Sequence, residues 1–298
     1  MPVENNNLPV RRYEKEYKGI LDAVFGVRQA FAGATAPIQI LDGVKENDEA
    51  FSVKVNNTPV TMGTYDTDAN TAFGTGTANS SRFGERTEII YENKSVPYDY
   101  NLSIHEGIDR FTVNNDFQQA IADRLRLHAE AQTRSVNARI GKFLSDNAGH
   151  TVDATGKSVQ ALFNELNAYY TNNEVVVPVT AYVKSELYHA IIDDPKVTTA
   201  KASGVSIDDN NLAKYKDISL VVVPDKYFDE GVSAIVVPNG VVIPFIGIST
   251  TRTVESEDFD GVALQAAARG GTYVLEDNKK AIIKVTSEVG EVDPEIGG

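Results

Sequence analysis

The stretch NDFQQAIADRLRLHAEAQTRSVNARIGKFLSDNAG, residues 115–149, decides how the rest of the chain is read. Asn114, Asn115 and Asp116 offer side-chain oxygens of the kind that accept from the free N–H groups at a helix start. Phe117, Ile121, Leu125, Val136, Ile140, Phe143 and Leu144 then recur at helical spacing. No proline or glycine interrupts the run before Gly141, and Gly149 is suited to the left-handed conformation that ends helices. The pattern predicts one helix over about 115–147, a rod of about 45 Å and far longer than the mean globular helix. Ala129, Ala131, Ser135 and Ala138 keep its middle slender, so that sheet or neighbouring backbone can approach. The apolar positions do not hold an a/d heptad over three repeats, which argues against a coiled coil.

Upstream, AFSVKVNNTPV (50–60) alternates like a strand and breaks at Asn56, Asn57 and Pro59. GTYDTDANTAFGTGTANSSRFG (63–84) follows, dominated by Gly, Thr, Asn, Ser and Ala, a composition that cannot order itself by burying apolar surface. RTEIIYENKSVPYDYNLSIHEGIDR (86–110) alternates again and reads as returning strands. Together these predict a long two-stranded arm with a soft tip over about 57–93. An isolated ribbon is marginal in water and needs another surface, such as a neighbouring subunit, to lie on. At the start of the chain Arg11, Arg12, Lys15, Lys18 and Arg28 accompany Ile20, Leu21, Val24, Phe25, Val27 and Phe31 at roughly helical intervals. This segment reads equally as a docking arm or as a frayed terminus leading into a surface helix.

Downstream of the long helix the signals alternate. VQALFNELNAYY (159–170) and SELYHAIID (185–193) read as helices; VVVPVTAYV (175–183), ISLVVVP (218–224) and SAIVVPN (233–239) read as buried strands. An α/β module is therefore expected over 156–249. VALQAAARGGTYVLEDNKKAIIKVTSE (262–288) reads as a hairpin turning near Asp277 and Asn278, paired back near the long helix.

Composition sets the outer limits. With 298 residues, 42% of them hydrophobic, the chain buries a sizeable core. The absence of cysteine removes disulfides, thiol nucleophiles and thiolate metal sites. No signal-peptide h-region or membrane-length apolar run is present, which predicts a protein made and used in a cytoplasm. A net charge of −14 argues against tight sequence-independent gripping of nucleic acid, so any DNA it meets is expected to be enclosed rather than bound by sequence.

Catalytic signals are weak. His105, His128, His150 and His189 are scattered, and none has metal-ligand spacing, so each reads as a surface or structural histidine. Carboxylates gather at Asp193/Asp194, at Asp208/Asp209 and in Glu255, Glu257, Asp258 and Asp260. The last group offers oxygen ligands to calcium or magnesium, but it lacks the glycine-turned EF-hand loop and reads as a solvated acidic turn. GTGTANSSRFG (74–84) is not followed by GK[ST], and no GxSxG elbow occurs. No catalytic, cofactor-binding or metal residue is assigned, and no cofactor is expected.

The order of these elements resembles the major capsid proteins of tailed double-stranded-DNA bacteriophages, with their Hong Kong 97 phage capsid fold. RRYEKEYKGILDAVF (11–25) and NDFQQAIADRLRLHAEAQTRSVNARIGKFL (115–144) are similar to phrases in head proteins of phages infecting Gram-positive bacteria. The resemblance implies an α+β fold with an N-terminal arm (1–32), a peripheral domain (33–155 plus 250–298) and an axial domain (156–249). Within the peripheral domain lie an extended loop (about 57–93) and a spine helix (about 115–147). It also implies a non-enzymatic homo-oligomer of hexamers and pentamers, assembled in the host bacterial cytoplasm into a virion that encloses the DNA. A separate scaffolding protein (unless this is the processed form), portal and head-completion proteins are the implied partners, with no membrane. A related implication is an encapsulin-type enzyme-storing shell; a metal-dependent hydrolase built on the acidic clusters is the reading from a different class. Assembly contacts are expected at Arg11, Arg12, Arg82, Arg86, Arg110, Glu255, Glu257, Asp258 and Asp260, with Arg82, Arg86 or Arg110 pairing with the acidic group. Some relatives weld subunits through a loop lysine; no lysine lies between Lys54 and Lys94 here, so no such cross-link is expected.

Overall fold

The computed structural model describes residues 27–41, 49–56, 58–69, 71–73, 81–113, 116–193, 206–208 and 211–286. Arg11, Arg12 and nearly all of the expected arm, like Asp194 and Asp209, lie outside the described residues. The chain divides into two compact units, 44–98 and the remainder.

The long helix is α1, Phe117–Asp146. Asp116 caps it, its carboxylate accepting from the Gln119 N–H at 3.1 Å, one of the donors that a helix start leaves without an internal partner. The other end differs from expectation. Asn147, with φ −101°, closes the helix, its N–H and side-chain amide both donating to the Phe143 carbonyl. Gly149 takes no left-handed conformation. It is glycine for space, since a Cβ there would stand 2.5 Å from the Lys279 carbonyl oxygen that its own N–H bonds at 2.9 Å.

Seven strands form one sheet in the order β5 (His150–Asp153), β13 (Ile283–Thr286), β10 (Val232–Pro238), β6 (Val179–Val183), β9 (Ile218–Val222), β8 (Asn211–Tyr215), β7 (Ser206–Asp208). Strands β6 and β10 are buried along their whole length, which explains why their sequences run apolar without alternation: both faces are covered. On one face, Ala181, Val183, Ala234 and Val236 pack with Leu162, Phe163 and Leu166 of α2 (Val159–Asn172) and with Leu187 and Ile191 of α3 (Ser185–Asp193). On the other, Tyr182, Ile235 and Val237 meet Phe31 and the C-terminal part of α1 at Ile140 and Leu144. Gly141 permits that approach; a Cβ there would fall 2.0 Å from the Tyr227 carbonyl oxygen.

A second sheet, in the order β1 (Gln39–Ile40), β11 (Ile243–Glu255), β12 (Gly261–Tyr273), β4 (Tyr100–Asp109), carries at its centre an antiparallel hairpin of two 13-residue strands. The hairpin expected over 262–288 is therefore corrected. Residues 276–279 form a short helix, α4, and the strands on either side of it belong to different sheets. The partner of β12 is β11, paired from Ile243↔Tyr273 to Glu255↔Val262 with a bulge between Ile246 and Ile248. Four residues of β13 cannot satisfy the backbone of a 13-residue strand, whereas β11 matches its length.

Candidate assembly sites

The acidic group of 255–260 is the turn of the β11–β12 hairpin, and the β4–β12 register sets Asp109 opposite Gly261 beside it. Arg110, the next residue, therefore reaches both carboxylates that flank the turn. Its Nη1 donates to Asp260 Oδ1 at 2.8 Å, and Nη2 donates to both Glu255 oxygens at 2.9 and 3.0 Å. Its backbone N–H donates to the Asp260 carbonyl at 2.8 Å, and the guanidinium lies 5.1 Å from the Phe117 ring centre. One arginine thus staples the end of β4, the hairpin turn and the first residue of α1. The Asp260 hydrogen bond, with Glu255 adding to it, holds the guanidinium still more firmly protonated. All three side chains stay substantially exposed, which limits what the pairs contribute to folding. Glu257 and Asp258 lie exposed on the same turn, Asp258 donating its N–H to Ser256 Oγ at 3.3 Å.

In the unit 44–98, β2 (Glu49–Val55) and β3 (Glu92–Pro97) form the expected ribbon, shorter than the alternation suggested. Beyond it, residues 70 and 74–80 of the expected soft tip lie outside the described residues, and the described stretches on either side are tied by hydrogen bonds. Asp66 accepts from the Asp68 N–H at 2.8 Å and from the Thr71 hydroxyl at 3.1 Å, while its own N–H donates to the Arg82 carbonyl at 2.9 Å. Arg82 Nε returns a bond to the Thr71 carbonyl at 3.2 Å, with its guanidinium 5.3 Å from the Phe73 ring centre. Tyr65 and Phe83 meet edge to face at 5.1 Å. Arg82 is thus taken up within its own loop, and Arg86 is exposed. Val60, Met62, Phe73 and Phe83 are each 79–92% exposed.

Sequence reasoning missed the polar contact between α1 and β4. Glu106 of β4 accepts from Arg124 through both carboxylate oxygens and sits 2.6 Å from His128 Nε2. Arg124 and His128 are four residues apart and so share a helix face, but nothing local in the sequence points to a glutamate on a strand. The Arg124 hydrogen bond, with His128 adding to it, holds the Glu106 carboxyl at about 2, well below its ordinary value of 4.5. So acidic a carboxylate is a poor proton acceptor near neutral pH, and the cluster is a structural clamp. Two further histidines are placed by packing or pairing: His150 stacks on Tyr169 at 4.3 Å, and His105 faces Gln265 at 3.3 Å. Among the described residues no group of three or more His, Asp or Glu comes together to hold a metal ion. No helix among them is long and apolar enough to cross a membrane.

Asn137 was also missed, because an asparagine in mid-helix reads as solvent-facing. It is 1% exposed; its Nδ2 donates to the Arg28 carbonyl at 2.8 Å and its Oδ1 accepts from the Ala30 N–H at 2.9 Å. The incoming chain is thereby fixed to α1 before Phe31 enters the core.

No protein-family model matches the sequence, and no curated protein matches it significantly in sequence. Solved structures do match. The mature capsid of bacteriophage PhiM1 superposes with a TM-score of 0.64 at 8% identity, covering 88% of both chains. The capsid of cyanophage P-SCSP1u gives 0.63 at 12% identity over 89% of this chain and 91% of the other. The capsid of Ralstonia phage GP4 gives 0.59 at 10% identity over 98% and 97%. At such identities the likeness is one of fold, and the chain has the mixed helix-and-sheet, Hong Kong 97-like fold of tailed-phage capsid proteins.

Proposed function

We propose that this chain is the main building block of an icosahedral phage head, a structural protein whose activity is self-assembly into hexamers and pentamers around double-stranded DNA. The observation that carries the reading is coverage. The match to capsid chains spans 88–98% of this chain and 88–97% of theirs, so the likeness is to a whole capsid subunit and not to a shared module. In this reading residues 1–32 are the arm, 33–155 with 250–298 the peripheral domain, and 156–249 the axial domain that meets its copies at the symmetry axes. Strands β5 and β13 then extend the axial sheet, and β11 runs from one domain into the other. The bare apolar side chains of 58–91 support a loop that finds its complementary surface on a neighbouring copy. The exposed Arg110–Glu255–Asp260 staple, the exposed carboxylates of Glu257 and Asp258, Arg86 and the Arg11/Arg12 pair are the polar groups offered to neighbouring copies, with Arg82 shaping the loop that carries Arg86. Scaffolding, portal and head-completion proteins are the other partners, with assembly in the host cytoplasm before the shell becomes part of the virion. A net charge of −14 suits a wall along which DNA slides instead of sticking.

Sedimentation velocity across protein and salt concentration tests this. Species at five and six times 32.4 kDa, or megadalton shells, are expected. A monomer at every concentration, even with a scaffolding partner supplied, overturns it.

A further inference from the structure

An open groove of about 500 Å3 lies where the incoming chain at 27–30 passes α1 and the segment after β9. Its rim carries Arg28, Arg134 and Lys226, and its wall includes Val221, Val222 and Pro224. Val221 and Val222 are 37% and 45% exposed although they belong to the main sheet. Arg134 shares Glu130 with Arg126. Arg28 and Lys226 have no carboxylate within ion-pair distance among the described residues. In a chain of net charge −14, a groove with Arg28 and Lys226 on an apolar wall, beside the Glu130-paired Arg134, is a local reversal of sign.

We infer that the chain's own acidic C-terminal tail, SEVGEVDPEIGG (287–298), docks in this groove. Three observations select that occupant. The first is charge: Glu288, Glu291, Asp293 and Glu295 are unopposed by any lysine or arginine in the tail, and Val289, Val292 and Ile296 supply apolar contacts between them. By contrast, the residues before Val27 balance Arg11, Arg12, Lys15 and Lys18 against Glu4, Glu14, Glu16 and Asp22 and offer the groove no net negative charge. The second is position. Val285 pairs with Ala234, Ala234 with Val183 and Val183 with Val222, so the end of β13 and the end of β9 lie in one cross-strand row. β13 and β9 run in the same direction, and both release their chain at the same margin of the sheet. Three strand intervals separate them, about 14 Å. The third is reach: an extended dozen residues span up to about 40 Å, ample for that gap. Docked there, the tail covers the point at which Asn137 holds residues 28–30 to α1.

The test uses the unassembled full-length chain and a glutamate-specific protease, with intact-mass detection of cleavage after Glu288. Reversing the groove in R28E/K226E is expected to speed that cleavage roughly five- to tenfold at low salt, the effect of losing two partly exposed pairs. About 1 M salt removes the difference between the two proteins. Placing D293K/E295K in the reversed groove restores protection. If R28E/K226E melts early, D293K/E295K in the unaltered groove supplies the same comparison and releases the tail. Equal cleavage rates in the wild-type and altered proteins at low salt overturn the inference. So does protection that rises with protein concentration, because it places a second copy's tail in the groove.

Discussion

Replacing Asn137 separates a hydrogen-bonding role from a packing role. The side chain is 1% exposed and satisfies two backbone groups, the Arg28 carbonyl at 2.8 Å and the Ala30 N–H at 2.9 Å. Asn137→Ala takes from both their partner, a side chain that is itself buried, although the Arg28 end lies near the surface. Each such loss costs about 1–3 kcal/mol where the group is buried, and with the Arg28 carbonyl near the surface the variant is expected to lose about 2–4 kcal/mol in all. Asn137→Asp is the sharper probe. It conserves shape and still accepts from the Ala30 N–H, but it turns a second acceptor toward the Arg28 carbonyl and buries a charge that has that single donor. It should destabilise at least as much as alanine. Urea unfolding of the unassembled chain, read as a shift of midpoint at constant slope, gives the magnitudes. Hydrogen exchange at the Ala30 amide should accelerate in both variants. An aspartate variant within about 0.5 kcal/mol of wild type would refute the reasoning, because a residue that only fills space tolerates so close an isostere.

Other outcomes follow from the same kind of geometry. Glu106 is ordinarily protonated near 4.5 but is held at about 2, so its contribution is complete above 4.5 and is lost as pH falls toward 2. Undamped, that shift corresponds to about 3 kcal/mol; the half-open Arg124 side reduces it to about 1–2 kcal/mol. Acid titration of wild type against Glu106→Gln should show the two stability curves converging in that window, and parallel curves contradict the clamp. Gly141→Ala tests packing against propensity, since alanine favours a helix interior by about 1 kcal/mol. Its Cβ would nonetheless stand 2.0 Å from the Tyr227 carbonyl oxygen, so thermal melting should show a loss, and a gain refutes the contact. Lys216 and Asp217 make the two-residue turn between β8 and β9 with φ of 46° and 65°, where glycine is at ease. Asp217→Gly should stabilise by about 0.5–1 kcal/mol in urea unfolding, and a destabilised variant argues against that turn. Assembled particles boiled in detergent should run as a single band near 32.4 kDa, because no lysine lies between Lys54 and Lys94. A high-mass ladder contradicts this.

What was legible in the sequence was whatever a short window encodes. Phe117–Asp146 announced itself through helical spacing and the Asp116 cap, and β6, β9 and β10 through unbroken apolar runs. β11 did not, because IPFIGISTTRTVE mixes serine, threonine and arginine with a bulge at Gly247 that breaks the alternation. Without β11, the closing strands were paired with each other and the hairpin turn was placed about 20 residues too late. The complementary charge of Arg110 and the acidic group was legible, but as a contact between copies; the β4–β12 register instead brings Arg110 to Glu255 and Asp260 of its own chain and leaves Glu257 and Asp258 aside. The polar contacts on α1 were hidden for a related reason. The expected apolar stripe holds at Ile140 and Leu144, whereas farther toward the N-terminus the buried positions include Asp123, His128 and Asn137. Which polar residue a helix buries depends on partners such as Glu106 and Arg28, each remote in sequence, and no periodicity records them.

The central claim, that this chain forms shells, is tested most directly by negative-stain electron microscopy of the purified protein. Closed particles, tubes, or rings of five and six subunits are the predicted result. A field of dispersed single chains under every salt and concentration, with a scaffolding partner present as well as without it, would contradict the account.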